Sequence, residues 1–283
     1  MGKIRIVADS TCDLSKELLE RYEVNILPLC IVMGDQSYYD GLETTPDEIY
    51  AWADANKTTP KTAAVSMDKT EEMMAPFMEA GDDIIFFGIS GEMSTTCNVV
   101  RLVAEEKEYD RLFIIDSRNL STGIGLQIIR AAELIKEGKS AEEVVEAIKG
   151  SQDKVRASFV VDTLTYLARG GRCTAATALL ANTLKLHPEI VVSDGKMGVS
   201  KKYRGSLDSA LIKYAKDLKE ELLQADATCV FITHSGCSQE VIDKIYDFVK
   251  ELEYFEEIHI TRAGGVISSH CGPGTLGILF YAK

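Results

Sequence analysis

The first half of the chain alternates short apolar runs with segments of helical periodicity. The apolar runs are rich in β-branched residues, end in polar residues and lie at 3–10, 82–90 and 111–117. Such continuous runs are typical of strands buried on both faces. Helical spacing of apolar residues follows each run, in segments 15–22, 98–109 and 126–138. This alternation predicts a parallel sheet with helices packed against both of its faces.

The pattern changes after about residue 155. Segment 156–172 is typical of a strand and a short helix that stops at two glycines, and 189–205 is typical of a hairpin that turns at Asp194 and Gly195. The remaining predicted elements are helices at 206–224 and 238–252 and strands at 227–236, 256–265 and 275–283. We therefore predict a two-domain α/β protein, with a parallel, Rossmann-like domain at 1–155 and a mixed α/β domain at 156–283.

Composition and charge narrow the class of protein. The chain has 283 residues, enough for two domains, and its net charge of −13 argues against nucleic acid or an anionic membrane as the main partner. The chain has seven cysteines, an odd number, and none of them forms a C-x-x-C motif. We therefore expect neither a disulfide framework nor a metal site. The chain leads directly into a predicted strand without a signal peptide, and its apolar runs fall short of the roughly 20 residues that span a membrane. These features predict a cytoplasmic protein.

Polar residues follow the three strands predicted in the first half. They are Asp9, Ser10 and Thr11 after the first, Ser90, Ser94, Thr95 and Thr96 after the second, and Asp116 and Ser117 after the third. In an open parallel sheet, ligands bind at the carboxyl ends of the strands, where hydroxyl groups donate hydrogen bonds to an anion. The alternative is that each residue caps the following helix. Three strand ends of the same character favour an anion site at this edge.

Two arginines and a histidine stand beside glycine turns later in the chain. Arg169 and Arg172 flank two glycines, and a helix C-terminus alone explains both glycines and one of the arginines. The second arginine is a candidate for contact with an anion or a partner. His270 follows two serines and precedes a Gly-Pro-Gly turn that permits close approach of a ligand to the backbone. Its alternative role is that of a packed, hydrogen-bonded structural residue.

The catalytic motifs that can be checked in the sequence are missing. The chain contains no G-x-S-x-G nucleophile elbow and no H-E-x-x-H metal motif. Segment 137–140 resembles the end of a P-loop but lacks the first glycine, and 123–128 lacks the third glycine of a dinucleotide-binding turn. The sequence therefore favours a binding protein without a cofactor over a self-sufficient enzyme.

Seven motifs occur in the order and spacing of the DegV family, which the chain resembles over essentially its whole length. Each motif is weak alone, whereas seven in order are specific. The motifs are "ADST" (8–11), "PKTAAVS" (60–66), "ISGEMSTTCN" (89–98), "DSRNLSTGIG" (116–125), "LTYLARGGR" (164–172), "DGKMGVSKKYRG" (194–205) and "SSHCGPGTLG" (268–277).

This resemblance implies a fold and a function. DegV proteins are the fatty-acid-binding B subunits of bacterial fatty acid kinase, so the resemblance implies one long-chain fatty acid, such as palmitate, in a cleft between two α/β domains. Its carboxylate would be held by hydroxyls that match Thr62 and Ser94, with His270 beside it. Arg169 or Arg172 would present the head group to a separate ATP-dependent kinase subunit, which forms the acyl phosphate.

The chain departs from the family pattern at two positions. Ala63 stands where the family usually has serine, so one hydroxyl is lost, and Thr95 stands where it usually has glycine, so the loop backbone is altered. Two other functions stay open on the sequence. One is an acyl hydrolase or transferase that uses Ser94 and His270, and the other is a lipid-sensing regulatory protein without a kinase partner.

Overall fold

A computed structural model describes residues 2–179 and 186–283 of the protein. The strands are β1 (Ile4–Asp9), β2 (Val24–Leu27), β3 (Cys30–Met33), β4 (Gln36–Tyr39), β5 (Lys61–Ala63), β6 (Asp83–Gly88), β7 (Leu112–Asp116), β8 (Val155–Val160), β9 (Leu186–Ser193), β10 (Lys196–Arg204), β11 (Ala225–His234), β12 (Glu257–Arg262) and β13 (Leu276–Ala282). The α-helices are α1 (Lys16–Arg21), α2 (Pro46–Asn56), α3 (Met67–Glu79), α4 (Thr96–Glu106), α5 (Thr122–Lys136), α6 (Ala141–Lys149), α7 (Thr165–Gly170), α8 (Thr174–Leu179), α9 (Leu207–Asp217), α10 (Lys219–Leu222), α11 (Gln239–Lys250) and α12 (Gly265–Cys271).

Four strands of the first half form a parallel sheet in the order β2-β1-β6-β7, hereafter the parallel sheet. Consecutive side chains of β6 are buried on alternate faces. Ile85 and Phe87 pack in a hydrophobic cluster with α5 and α6, whereas Ile84 and Phe86 pack in another with α3 and α4. Burial on both faces explains the continuous apolar runs, and the predicted parallel sheet with helices on both sides is confirmed.

The later strands form a second sheet in the order β10-β9-β8-β13-β11-β12, hereafter the mixed sheet. Its neighbours are antiparallel except β11 and β12, which are parallel. The predicted hairpin is confirmed as β9 and β10, with Asp194 and Gly195 at positive φ in the turn between them. The predicted mixed α/β architecture is therefore confirmed, whereas the domain boundary between residues 155 and 156 stays a prediction.

Three features of the fold differ from the sequence-based predictions. Segment 23–81, which carried no predicted element, contains β2 to β5, α2 and α3, and β4-β3-β5 form a three-stranded antiparallel sheet, hereafter the small sheet. Its strands have only three or four residues, too few for a clear period of two. The helix predicted at 206–224 is divided at Leu218, and the strand predicted at 256–265 ends at Arg262 and is followed by α12.

Helix α5 lies in the hydrophobic cluster that connects the two large sheets. Ile124 and Ile128 of α5 share this cluster with Ile115 of the parallel sheet and with Phe159 and Leu279 of the mixed sheet. The helix is apolar on more than one side because it packs against both sheets, and each fully buried side chain of this size contributes about 1.5–3 kcal/mol. The two halves of the chain therefore share one core, which places the ends of both sheets around a common space.

Candidate ligand-binding cavity

A cavity of about 850 Å³, including the part that is open to solvent, lies between the two large sheets and the small sheet. Both halves of the chain contribute to its wall. The apolar lining residues are Leu29, Ala63, Ala64, Ile89, Met93, Leu120, Phe159, Leu167, Met197, Ala263, Val266, Ile267, Cys271 and Leu279.

Exposure to solvent divides the cavity into an interior and a mouth. Apolar lining residues such as Leu120 and Phe159 are buried. Ala63 and Arg172 are exposed, and the side chains of Thr62, Ser94 and His270 are partly exposed. The polar groups expected to hold an anion therefore lie where the cavity meets solvent, and the apolar wall lies behind them. An amphipathic ligand would match this arrangement with its polar end at the mouth.

Thr62 and His270 meet at the mouth although 208 positions separate them in the chain. Strand β5 supplies Thr62 and the last turn of α12 supplies His270, and Thr62 Oγ1 lies 2.7 Å from His270 Nε2. Gly170 makes this packing possible, because a Cβ at that position would lie only 2.2 Å from His270 Nδ1. The sequence pattern gave no sign of this role of Gly170, although the Gly-Gly turn stands between the two candidate arginines.

The protonation of His270 follows from its surroundings. Burial, with a smaller contribution from the positive charge of Arg172, lowers the pKa of His270 to about 4, so the ring is neutral at pH 7. Nδ1 is buried and has no hydrogen-bond partner among the described residues. Because an orphaned buried N–H is rarer than an orphaned acceptor, we assign the proton to Nε2, which then donates to Thr62 Oγ1. The hydroxyl hydrogen of Thr62 is thereby left free to donate to a ligand.

Ser94 stands at the start of α4. Its Oγ accepts a hydrogen bond from the backbone N–H of Thr96 at 3.3 Å and lies 2.9 Å from Thr96 Oγ1. Thr96 is fully buried, and its hydroxyl cannot donate to water. We therefore assign the hydrogen between the two hydroxyls to Thr96, with Ser94 Oγ as its acceptor. The hydroxyl hydrogen of Ser94 is then free to point into the cavity. The positive end of the helix dipole adds a favourable field for an anion at this position.

The two candidate arginines differ in position. Arg172 lines the cavity, and its guanidinium donates to the carbonyl oxygens of Gly170 at 2.7 Å and Met93 at 3.4 Å. Arg169 lies in the last turn of α7, is exposed, and is not part of the cavity wall formed by the described residues. The structure therefore brings Thr62, Ser94, Arg172 and His270 to one cavity and leaves Arg169 on the surface beside it.

Other hydroxyls of the cavity wall are used inside the protein. Their hydrogens are donated to protein acceptors, so these groups cannot offer them to a ligand without breaking a bond. The three bonds run from Ser121 to Asp13 Oδ2 at 2.5 Å, from Ser235 to the Gly272 carbonyl at 2.5 Å and from Thr275 to the Cys271 carbonyl at 3.0 Å. Thr233, a further hydroxyl of this wall, is buried with its Oγ1 2.7 Å from Thr122 Oγ1 and 2.9 Å from Thr261 Oγ1. Thr62 and Ser94 are therefore the hydroxyls at the mouth of the cavity that can donate to a ligand.

Most of the polar residues at the strand ends of the parallel sheet lie outside the cavity wall, and several of them make hydrogen bonds within the protein. Ser90 donates to the Gly195 carbonyl at 2.7 Å, which docks the β9–β10 turn onto the loop after β6. Asp116 accepts from the N–H of Gly91, and Asp9 accepts from the N–H of Ile89. Of the predicted strand-end groups, Ser94 is the one that the described cavity wall contains.

The contacts of Ser94 and His270 do not form a nucleophile and base pair. Among the described residues, Ser94 Oγ pairs with Thr96 and His270 Nε2 pairs with Thr62, and no carboxylate orients His270 Nδ1. An imidazole with a pKa of about 4 is also a weak general base at pH 7. This geometry argues against the hydrolase or transferase hypothesis.

The fold and the cavity define an α/β protein in which a parallel and a mixed sheet enclose an apolar space with a polar mouth. The family model described as an uncharacterised protein of the DegV family matches residues 3–283. A DegV domain-containing protein of Clostridium perfringens is 36% identical over 206 residues, which are 73% of this chain and 74% of that protein. The chain belongs to the DegV family, as its motifs predicted.

Solved structures of relatives share the fold. A structure described as fatty acid binding of a DegV family protein from Thermus thermophilus superposes with a TM-score of 0.90 at 29% identity, covering 99% of this chain and all of that one. A stearic acid-binding protein from Eubacterium ventriosum superposes with a TM-score of 0.86 at 29% identity, covering 100% of this chain and 99% of that one. Within the described part of this chain, the helices are too short or too polar to cross a bilayer.

Proposed function

We propose that this protein binds one long-chain fatty acid, with the tail in the apolar cavity and the carboxylate at the mouth. Thr62 and Ser94 donate hydrogen bonds to the carboxylate, His270 orients the Thr62 hydroxyl, and Arg172 supplies positive charge nearby. The observation that carries the proposal is the division of one cavity into an apolar interior and a mouth with two free hydroxyls. Relatives with the same fold are described as fatty-acid-binding proteins.

The energetics favour a long tail and a head group at the surface. Burying one methylene group contributes about 0.8 kcal/mol, so a chain of about 16 carbons gains on the order of 12 kcal/mol before the cost of ordering it. A carboxylate needs several charge-assisted hydrogen bonds to leave water completely. At a partly exposed mouth it keeps some of its hydration, so two hydroxyls and a neighbouring arginine suffice.

The same geometry supports a carrier role, for which we propose the cytoplasm as the location. A carboxylate at an open mouth stays within reach of a second protein, and the chain has no complete phosphate-binding loop of its own. We therefore propose that an ATP-dependent fatty acid kinase docks over the mouth and phosphorylates the carboxylate to an acyl phosphate. Exposed Arg169 would lie at the rim of this docking surface, whereas Arg172 would stay with the carboxylate.

Mass spectrometry of a denatured extract of the purified protein tests the first step. We expect a long-chain fatty acid in about molar proportion to the protein, or uptake of added palmitate by delipidated protein. Protein that carries no lipid and refuses palmitate would overturn the proposal. Addition of a cognate kinase and ATP tests the second step, where acyl phosphate should form with the wild type and decrease with Arg169→Ala while palmitate affinity is kept. An equal loss of palmitate affinity in that variant would refute a rim position for Arg169.

A further inference from the structure

The N-terminus of α12 is held by two carboxylates from the first half of the chain. Asp13 accepts a hydrogen bond from the N–H of Gly264 at 2.7 Å. Asp40 accepts from the N–H of Gly265 at 2.8 Å and from that of Val266 at 3.3 Å. Three consecutive backbone N–H groups at the start of this short helix therefore find acceptors in side chains more than 200 positions away.

The local sequence is adapted to this contact. Helix α12 begins at Gly265, and its N-cap residue Gly264 has no side chain that could cap it. A Cβ at Gly265 would lie 2.7 Å from Asp40 Oδ1 and 2.6 Å from Ile31 Cδ1, so glycine is needed for the carboxylate to reach the backbone. Asp40 also accepts from Ser10 Oγ at 2.8 Å, so three donors converge on one carboxylate that is 3% exposed.

Burial opposes the ionisation of both groups, and the donated hydrogen bonds offset this effect only in part. Desolvation raises the pKa of Asp40 and that of Asp13, while the hydrogen bonds from Ser10, Gly265 and Val266 lower the pKa of Asp40 again. A buried carboxylate is costly unless such donors are present. The contact between the two halves at the start of α12 therefore requires desolvation of two acidic groups and specific hydrogen bonds to them, which suggests a role beyond packing.

The opposite end of α12 carries His270. It is six residues from Gly264, or about 9 Å at 1.5 Å per residue. Between the two ends, Val266 packs in a small hydrophobic cluster with Ile31 of β3 and Ile49 of α2, which belong to the half that also supplies Thr62. The anchor at one end and Thr62 at the other thus connect α12 to the first half of the chain.

We propose that Asp13 and Asp40 are positioning residues that hold α12 so that His270 meets Thr62 and orients its hydroxyl toward the mouth of the cavity. The link to ligand affinity rests on the function proposed above, whereas the link to the His270–Thr62 contact does not. The carboxylates act through the helix and stand at its far end, so they do not touch the head group.

Asp40→Asn tests the proposal, because the amide keeps one acceptor oxygen and sets its N–H donors either against the Gly265 N–H or against the donors of Ser10 and Val266. Asp82→Asn is the matched control, since Asp82 is also 3% exposed and accepts from Lys3 N and Arg5 Nε at the opposite end of the parallel sheet. The first readout is the ¹⁵N signal of His270 Nε2–H in the ligand-free protein. The second is the affinity for palmitate labelled with ¹³C at the carboxyl carbon, together with its chemical shift.

Both variants should lose thermal stability. Only Asp40→Asn should shift or exchange-broaden the His270 Nε2–H signal, move the carboxyl ¹³C resonance and weaken palmitate binding about fivefold or more. An unchanged His270 signal in folded Asp40→Asn would overturn the proposal even if the wild type bound no palmitate, and this separates its failure from failure of the proposed function.

If Asp40→Asn does not fold, Gly265→Ala replaces it, with Gly198→Ala as its control. The methyl group added at Gly265 would lie 2.7 Å from Asp40 Oδ1 and push on it. The methyl group added at Gly198 would have no described atom within 4 Å apart from those of its chain neighbours. The same readouts apply. A normal His270 signal in Gly265→Ala would again refute the role of the anchor.

Discussion

The hydroxyl of Thr62 offers the sharpest test of the proposed site. Replacement by valine keeps the shape of the side chain and removes its oxygen. The carboxylate then loses one donor, and His270 Nε2–H loses the acceptor that lies 2.7 Å away in the wild type. A hydrogen bond to a charged group is worth about 1.5–3 kcal/mol. Thr62→Val should therefore weaken palmitate binding by roughly 10- to 150-fold.

The same substitution should also lower stability. An unpaired N–H of His270 costs up to about 1–3 kcal/mol in the folded protein, and less where water reaches the mouth. This cost is present with and without ligand, so it changes the free energy of unfolding rather than the affinity. Urea denaturation of the delipidated protein measures it separately from palmitate binding.

Thr70→Val serves as the matched control for this prediction. Thr70 is fully buried in α3 and donates to the Ser66 carbonyl at 2.8 Å, outside the cavity wall. It should lose stability and keep its palmitate affinity, as measured by isothermal titration calorimetry. Palmitate affinity of Thr62→Val within twofold of the wild type, or an equal loss of affinity in Thr70→Val, would refute the assignment of this hydroxyl to the carboxylate.

Further predictions concern the hydroxyl of Ser94, the hydroxyl lost at Ala63 and two titrations. Ser94→Ala should weaken palmitate binding about 10-fold or more. Ala63→Ser restores a hydroxyl at the exposed mouth and should tighten palmitate binding. Tighter binding by Ser94→Ala or weaker binding by Ala63→Ser in calorimetry would contradict the proposed carboxylate site. The His270 ring should stay neutral in NMR titrations from pH 8 to pH 5.5, because its pKa is lowered to about 4, and a midpoint near 6.5 would refute its burial. Burial raises the pKa of Asp9 from 3.8 to about 6, so its stabilising contribution is present below pH 3.8 and is lost as pH rises through 6. Between pH 4 and 7 the free energy of unfolding of the wild type should therefore fall by up to about 3 kcal/mol relative to that of Asp9→Asn, as measured by urea denaturation. Unfolding free energies of the two proteins that change in parallel with pH would contradict this.

The parallel sheet was predictable because its signal is local. Strands such as β6 are buried on both faces, so each has to be apolar along its whole length, and this pattern is visible without knowledge of its neighbours. The β9–β10 hairpin was predictable for a similar reason, since the Asp194–Gly195 turn needs residues that tolerate positive φ. The small sheet was not predictable, because its short strands depend on contacts with α12 and α2.

The candidate site was predictable only as a set of residues. The family motifs named Thr62, Ser94 and His270, and the cavity contains all three, but their roles as ligands of a carboxylate stay predictions. The sequence offered no way to choose between Arg169 and Arg172, because both flank the same two glycines. Without the family motifs, the pattern of polar residues after β6 could not distinguish Ser94 from Ser90, whose hydroxyl docks the hairpin turn.

The sequence by itself determined the family, the two large sheets and the net negative charge of the chain, because these depend on local pattern and composition. Tertiary structure alone decided that His270 meets Thr62, that Gly170 leaves room for the ring, and that Asp40 holds the far end of the same helix. A buried polar group must find its partner wherever the fold brings one, and these partners lie as much as 226 positions away in the chain.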